Sequence, residues 1–181
     1  MTRILAVLFA IMCAAQASAG PLPAGLDPQN TLLLDTKYGR VIIKLFNDIA
    51  PKHAERLKQL TRDHFYDNVP FHRVIDGFMA QTGDGQHGNG TGGSKHPNLK
   101  AEFSDVPYKR GTVGMARTSN PHSANSQFFI MFEEGSFLNG QYTVVGEVVS
   151  GMDVVDKLKR GEPPSDPDRM VRVQVAADVK Q

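Results

Sequence analysis

The sequence predicts a mainly β domain, an antiparallel barrel or sandwich that carries two α-helices. Short runs rich in β-branched and aromatic residues recur along most of the chain, and Gly, Asn, Asp and Pro separate them. Only two stretches show the apolar spacing of a helix. Many short strands with so few helices between them are typical of antiparallel architectures and not of alternating β-α-β units.

The strand pattern begins with a predicted hairpin. Residues 31–46 form two β-rich runs around a turn at 37–39, and one face of the second run is apolar: Val41, Ile43 and Leu45. Further strands are predicted within residues 71–75, 78–82, 111–117, 126–132 and 142–149. A last strand is expected over residues 170–175, where the valines at 171, 173 and 175 alternate with other residues.

Two segments predict helices. Residues 50–62 carry apolar side chains near a 3.6-residue period, with Pro51 in the first turn and Asn47 or Asp48 as a candidate cap. Residues 151–161 predict a second, short helix with basic residues in its last turn and Gly161 as its stop.

The first 19 residues have the order of features that a secretory signal peptide needs. Arg3 supplies a positive charge, residues 4–15 form an apolar run, and Ala17-Ser18-Ala19 is a cleavage site of small residues. The run is too short for a stable membrane anchor, which needs about 18 apolar residues. We therefore expect a signal peptide at 1–19, an irregular arm at 20–30 and one folded domain at 31–181.

Composition excludes several classes of function. The chain has 20 basic and 19 acidic residues, so it carries neither a nucleic-acid footprint nor a patch for an anionic membrane at the level of net charge. Its single cysteine, Cys13, lies in the predicted signal peptide. The mature protein is therefore expected to have no disulfide and no cysteine ligand for a metal.

A glycine-rich segment raises the alternative of nucleotide binding. Residues 83–93 read GDGQHGNGTGG and contain two overlapping G-x-G-x-x-G patterns. A pyrophosphate site also needs a helix directly after the glycines, and Pro97 disfavours one there. The other interpretation is a mobile surface loop, for which the glycines are sufficient explanation.

Four segments together resemble one known family. Residues 71–85 (FHRVIDGFMAQTGDG), 111–117 (GTVGMAR), 125–132 (NSQFFIMF) and 137–158 are similar, in order and spacing, to the cyclophilin family of peptidyl-prolyl cis/trans isomerases. The similarity extends over about residues 31–176. It implies an eight-stranded antiparallel closed β-barrel capped by two α-helices, which needs no metal and no cofactor. The glycine-rich segment is similar to the family's turn beside its binding groove.

The resemblance also implies the site residues. Arg73 matches the family's catalytic arginine, and Gln81 and Tyr142 complete the expected catalytic set. The expected substrate-binding residues are Phe78, Met79, Gly90, Ala116, Arg117, Gln127, Phe129, Phe137 and Leu138. Well-known eukaryotic members often carry Trp at position 137, His at 142 and Asn at 117. The departures are similar to those of secreted bacterial members.

The expected function is isomerisation of X-Pro bonds during the folding of exported proteins, in a periplasmic location. The partners would be proline-containing polypeptides, with weak binding of cyclosporin because Phe137 lacks an indole N–H. No nucleic acid, no membrane after signal cleavage and no second subunit are expected. The alternative function is a non-catalytic, peptide-binding chaperone on the same fold.

Processing of residues 1–19 can be tested directly. Mass spectrometry of the exported protein should find Gly20 as the new N-terminus. Finding Met1, or a lipid on Cys13, would contradict the signal peptide and the periplasmic location with it.

Overall fold

A computed structural model describes residues 22–179, and its regular structure is dominated by strands. The two helices are α1 (Pro51–Arg62) and α2 (Met152–Val155). The strands are β1 (Thr31–Thr36), β2 (Gly39–Leu45), β3 (Val69–Pro70), β4 (Arg73–Ile75), β5 (Met79–Thr82), β6 (Thr112–Met115), β7 (Phe128–Met131), β8 (Val144–Ser150), β9 (Arg169–Met170) and β10 (Arg172–Val175). The predicted signal peptide lies outside the described residues.

The sheet is an open half-barrel. Eight strands pair in the order β10-β1-β2-β8-β6-β7-β5-β4, and every ladder is antiparallel. The prediction of a closed barrel is wrong because β4 and β10 do not pair. Instead, β3 and β9 form a separate two-stranded sheet. The free edge of β4 is covered by a loop, since Val74 and Gly161 exchange two backbone hydrogen bonds of 2.8 Å.

The predicted strands are confirmed, although most are shorter than the runs that predicted them. β1 and β2 form the expected hairpin, and its apolar face is buried. The last run differs, because it divides into β9 and β10. Val171 lies at the break and is 57% exposed, whereas Val173 and Val175 are buried.

Helix α1 is confirmed, but its cap is not the one predicted. The residue before the helix is Ala50, and no local side chain caps it. The Glu102 carboxylate accepts hydrogen bonds from the Lys52 and His53 N–H groups, at 3.3 and 3.1 Å. A carboxylate is favourable at this positive end of a helix. About fifty residues separate cap and helix, so local sequence could not reveal this contact.

Helix α2 is shorter than expected. It ends at Val155, a turn follows at residues 156–157, and residues 158–160 have no regular structure. The Arg160 guanidinium binds the carbonyls of Asp156 and Leu158 at 2.9 and 2.6 Å. Gly161 therefore does not stop a helix. It extends the sheet at β4.

Alternate residues of the strands build two apolar clusters. Phe128, Ile130 and Phe132 belong to the large core, which α1 also covers. Side chains at the positions between them point to the other face of the sheet. There a smaller group, here called the outer cluster, forms from Met79, Tyr108, Phe129, Met131, Leu138 and Val144. Between residues 22 and 179 no helix is long and apolar enough to cross a membrane.

The glycine-rich segment folds around a buried carboxylate. Asp84 is 1% exposed, and its two oxygens accept hydrogen bonds of 2.9 to 3.2 Å from five loop N–H groups, those of Gln86, His87, Asn89, Gly90 and Gly92. The amides that a phosphate would need are thus already bound to the protein's own anion. No helix follows Gly93. Both observations argue against the nucleotide alternative.

The hydrogen bonds to the Asp84 carboxylate should make its contribution to the free energy of unfolding depend on pH. Burial alone would raise the pKa of Asp84, but the hydrogen bonds from His87, Gly92, Asn89 and Gly90 lower it from 3.8 to about 2. Because the folded pKa lies below the ordinary one, this stabilisation is complete above about pH 4 and disappears as the pH falls towards 2.

Asp84→Asn should reduce the free energy of unfolding by about 2 kcal/mol at pH 7, and by much less near pH 2.5. Urea unfolding of both proteins at the two pH values measures the difference. A difference that stays the same at both values would contradict the role of the Asp84 charge.

Candidate active site

Four residues from four neighbouring strands form one line on the outer face of the sheet. Arg73 of β4 is opposite Gln81 of β5, Gln81 is opposite Phe129 of β7, and Phe129 is opposite Gly114 of β6. Directly opposed residues of antiparallel strands project to the same face. These four residues are called the cross-strand row. The register therefore places a cation, an amide and an aromatic ring side by side.

Gly114 is needed at the end of the row because the Phe129 ring lies across it. A Cβ atom at this position would stand 2.5 Å from both Phe129 Cζ and the Tyr108 hydroxyl. The Phe129 ring stacks on Tyr108, with centroids 5.7 Å apart, and meets Tyr142 edge-on at 5.9 Å. Three rings thus fix the position of the aromatic surface.

Apolar side chains pack around Phe129. Met79 and Leu138 are buried in the outer cluster, and Phe78, Ala116 and Tyr142 are partly buried against it. Phe137 stacks obliquely on Phe78, with centroids 5.6 Å apart, and is 68% exposed. This ring is the exposed edge of the apolar surface around Phe129.

Two glutamines connect the row to the glycine-rich loop. The Gln81 amide donates to Gln127 Oε1 at 2.9 Å. The Gln127 amide donates in turn to the carbonyls of Gly90 and Gly92 at 2.9 and 2.8 Å. The loop that Asp84 organises is therefore fixed against the polar side of the row.

A groove of about 360 Å³ runs beside this chain of amides. Five of the expected site residues line it: Gln81, Gly90, Ala116, Arg117 and Gln127. Ala116 also packs against the outer cluster, so the groove adjoins that cluster. A larger cavity, of about 640 Å³, is lined by Leu60, Phe65 and His96 and contains none of the expected site residues. The cavity with the larger volume therefore does not coincide with the expected site.

Arg117 and Tyr142, two of the residues that differ from the eukaryotic pattern, contact each other. The Arg117 guanidinium lies over the Tyr142 ring, 4.2 Å from its centroid. Its Nε and Nη2 donate to the Gln141 carbonyl at 3.2 and 2.7 Å, and its Nη1 donates to the Thr118 carbonyl at 2.9 Å. Arg117 thus fixes the backbone next to Tyr142 and covers its ring. Sequence inspection alone did not connect these two positions.

His72 lies beneath the glycine-rich loop and was not expected near the site. It is 5% exposed, and a Cβ at Gly90 would stand 3.0 Å from its ring. Gly90 has a φ of +90°, a backbone conformation that favours glycine, and the ring leaves little room for a Cβ there. Burial lowers the pKa of His72, while Asp84 raises it. Of the two, burial is the larger influence and favours the neutral ring.

Glu162 was also missed. Its carboxylate accepts a hydrogen bond of 2.6 Å from Arg73 Nε, although the two residues are 89 positions apart. Between residues 22 and 179 no group of three or more His, Cys, Asp or Glu side chains could hold a metal ion.

Comparison with known proteins places the chain in one family. A family model described as cyclophilin type peptidyl-prolyl cis-trans isomerase/CLD matches residues 31–176. The chain belongs to the cyclophilin-type peptidyl-prolyl cis-trans isomerases. The resemblance inferred from the four sequence segments is thereby confirmed, and so is the enzyme class.

Curated relatives carry the same activity in their names. A probable peptidyl-prolyl cis-trans isomerase of Brucella suis is 55% identical, over 85% of this chain and 86% of the relative. Peptidyl-prolyl cis-trans isomerase B of Escherichia coli K12 is 43% identical, over 68% of this chain and 80% of the relative.

Solved cyclophilin structures have the same fold. A cyclophilin from Hirschia baltica has a TM-score of 0.79 and 29% identity, and the match covers 86% of this chain and 77% of that one. A Cryptosporidium parvum cyclophilin type isomerase, crystallised in the presence of the dipeptide Ala-Pro, has a TM-score of 0.74 and 26% identity. That match covers 80% of this chain and 98% of the other.

Proposed function

We propose that this cyclophilin isomerises X-Pro bonds in exported polypeptides and that Arg73 donates a hydrogen bond to the prolyl nitrogen in the transition state. The observation that carries the proposal is the cross-strand row. It places the Arg73 guanidinium in line with an aromatic surface that can hold a proline ring. The C. parvum structure with Ala-Pro supports an X-Pro ligand for this fold.

The chemistry requires no bond to break. An X-Pro amide resists rotation by about 18–20 kcal/mol because its nitrogen lone pair is delocalised into the carbonyl. When the bond twists, the lone pair returns to the nitrogen. A donor aimed at that nitrogen therefore stabilises the twisted state more than either planar isomer.

Arg73 has suitable donors available. Glu162 is the only hydrogen-bond partner of its side chain within residues 22–179, and it engages Nε. The two terminal nitrogens thus remain for a substrate. A guanidinium is charged at every accessible pH and holds its donors in one plane. Both properties suit the prolyl nitrogen, which becomes a hydrogen-bond acceptor only while the X-Pro bond rotates.

The expected catalytic residues Gln81 and Tyr142 would assist Arg73 by contacting the peptide, and the remaining site residues would bind it. Phe129, Met79 and Leu138 offer the buried surface for the proline ring, and Phe78 and Phe137 line its open side. Gln81 and Gln127, with the main chain at Ala116 and Arg117, line the groove where the peptide backbone would lie. Tyr142 borders the ring pocket through its contact with Phe129.

The proposed setting is the periplasm, with the enzyme acting as a monomer on unfolded or folding chains. The support is the pattern of residues 1–19 and the near-neutral charge of the remaining chain. Such a charge gives no reason to expect nucleic acid or a membrane surface as a partner.

Removing the Arg73 donor should lower turnover far more than affinity. A charge-assisted hydrogen bond contributes on the order of 1.5–3 kcal/mol, so Arg73→Ala should lose about ten- to a hundredfold in rate. Arg73→Lys should recover only part of it, because an ammonium lacks the planar fork. Exchange NMR on an X-Pro peptide with both isomers populated measures rate and binding together.

Phe129→Ala is the matched comparison, since it should weaken peptide binding as well as the rate. All variants should give the wild-type circular-dichroism signal. Wild-type protein that binds the peptide without catalysing exchange would favour the chaperone alternative. An unchanged rate in Arg73→Ala would contradict the arginine mechanism.

Cyclosporin should bind weakly because Phe137 has no donor at the pocket rim. A lost hydrogen bond costs roughly 0.5–1.5 kcal/mol, which predicts inhibition at least several-fold weaker than in a protein with an indole there. Phe137→Trp should strengthen inhibition in a side-by-side titration. Equal inhibition of the two proteins would refute this account of the rim.

A further inference from the structure

We propose that Glu162 is a positioning residue for the isomerase reaction. It holds the Arg73 guanidinium by its Nε–H, so that the terminal N–H groups are presented to the substrate before the peptide arrives. The inference rests on the role proposed above for Arg73 and extends it to a second residue, outside the four segments that resemble the family.

The contact is short and directional. Arg73 Nε and Glu162 Oε1 are 2.6 Å apart, which is a short hydrogen bond between two charged groups. Arg73 has no other side-chain partner among residues 22–179, and its side chain is 44% exposed. Without Glu162, this long side chain would be free to sample several rotamers. Ordering it during each binding event would then reduce the catalytic benefit.

The backbone fixes Glu162 beside Arg73. Gly161 and Val74 exchange two hydrogen bonds of 2.8 Å, so the loop forms one extra bridge on the free edge of β4. Arg73 immediately precedes Val74, and Glu162 immediately follows Gly161. In an antiparallel pair these neighbours lie next to each other. The same bridge that ends the open sheet therefore brings the carboxylate to the guanidinium.

Gly161 is specifically required for this arrangement. Its φ is +148°, and a Cβ there would stand 2.6 Å from Pro164 Cα. A side chain would force the loop away from β4. The glycine and the two prolines that follow Glu162 make a tight corner that keeps the carboxylate in place.

Further contacts anchor the loop on both sides. Arg160 Nε donates to Asp76 Oδ1 at 3.0 Å, which ties the loop to the β4–β5 turn. The Lys159 N–H donates to the buried Asp168 at 2.7 Å, across the loop. Glu162 is thus carried on a fixed frame, as a residue that orients a catalytic group should be.

The size of the effect follows from exposure. Both partners are about half exposed, so the pair is screened by solvent and its removal should cost roughly two- to fivefold in turnover. Glu162→Ala should lose the full amount. Glu162→Gln should lose less, because the amide oxygen can still accept from Nε. KM should change little, since the proline pocket is untouched.

The matched control is Asp178→Asn. The Asp178 carboxylate accepts from Arg62 Nε at 2.9 Å, with side-chain exposures of 46% and 41%, and neither residue lines the groove beside the cross-strand row. This substitution removes a carboxylate charge in the same way as Glu162→Gln and should leave turnover unchanged. A general effect of net charge would instead change turnover in both Glu162→Gln and Asp178→Asn.

The test measures kcat and KM for wild type, Glu162→Ala, Glu162→Gln and Asp178→Asn, and repeats Glu162→Ala in the Arg73→Ala background. In the Arg73→Ala background, Glu162→Ala should have no further effect on kcat. A merely structural role would instead predict a further loss. The NMR signal of Arg73 Nε–H should be visible in wild type and weakened by exchange with water in Glu162→Ala.

The outcomes separate the two proposals. An unchanged kcat in Glu162→Ala, while Arg73→Ala is slow, overturns the positioning role alone. A faster Glu162→Ala enzyme would mean that the carboxylate competes for the guanidinium, and it overturns the inference too. If Arg73→Ala is as fast as wild type, the arginine mechanism is wrong, and the loss of turnover expected for Glu162→Ala has no basis.

Discussion

The antiparallel register of β4, β5, β7 and β6 is the constraint on which the site depends. It sets Arg73, Gln81, Phe129 and Gly114 in one row on the outer face of the sheet. A slip of one residue in β4 would turn Arg73 towards the core and Val74 outwards. The bridge between Val74 and Gly161 protects this register at the open edge and delivers Glu162 to the same place.

The second constraint is the carboxylate of Asp84, which gathers the glycine-rich loop. Its acceptor oxygens hold the loop backbone, and Gln127 holds the loop carbonyls to the row. The glycines allow the chain to turn tightly around a charge and over the His72 ring. A glycine-rich segment that matches a phosphate-binding pattern is thus one wall of the groove beside the cross-strand row.

Local patterns were enough for much of the fold. The period-2 spacing of β2 and the helical spacing of α1 come from neighbouring residues, and both elements formed as predicted. Contacts between distant residues were not predictable in this way. Three features each join segments at least 49 positions apart: the Glu102 cap, the Arg73–Glu162 pair and the loop that covers the free edge of β4. The apolar pocket residues look like ordinary core in the sequence, and only the family resemblance singled them out.

The central claim is that an X-Pro peptide binds along the cross-strand row and not in the larger cavity beside α1. Chemical-shift mapping of labelled protein during titration with an Ala-Pro peptide tests it most directly. The account predicts the largest changes at Arg73 Nε–H and at the methyl groups of Met79, Ala116 and Leu138, with little change at Leu60. Largest changes at Leu60 and His96, which line the other cavity, would contradict it.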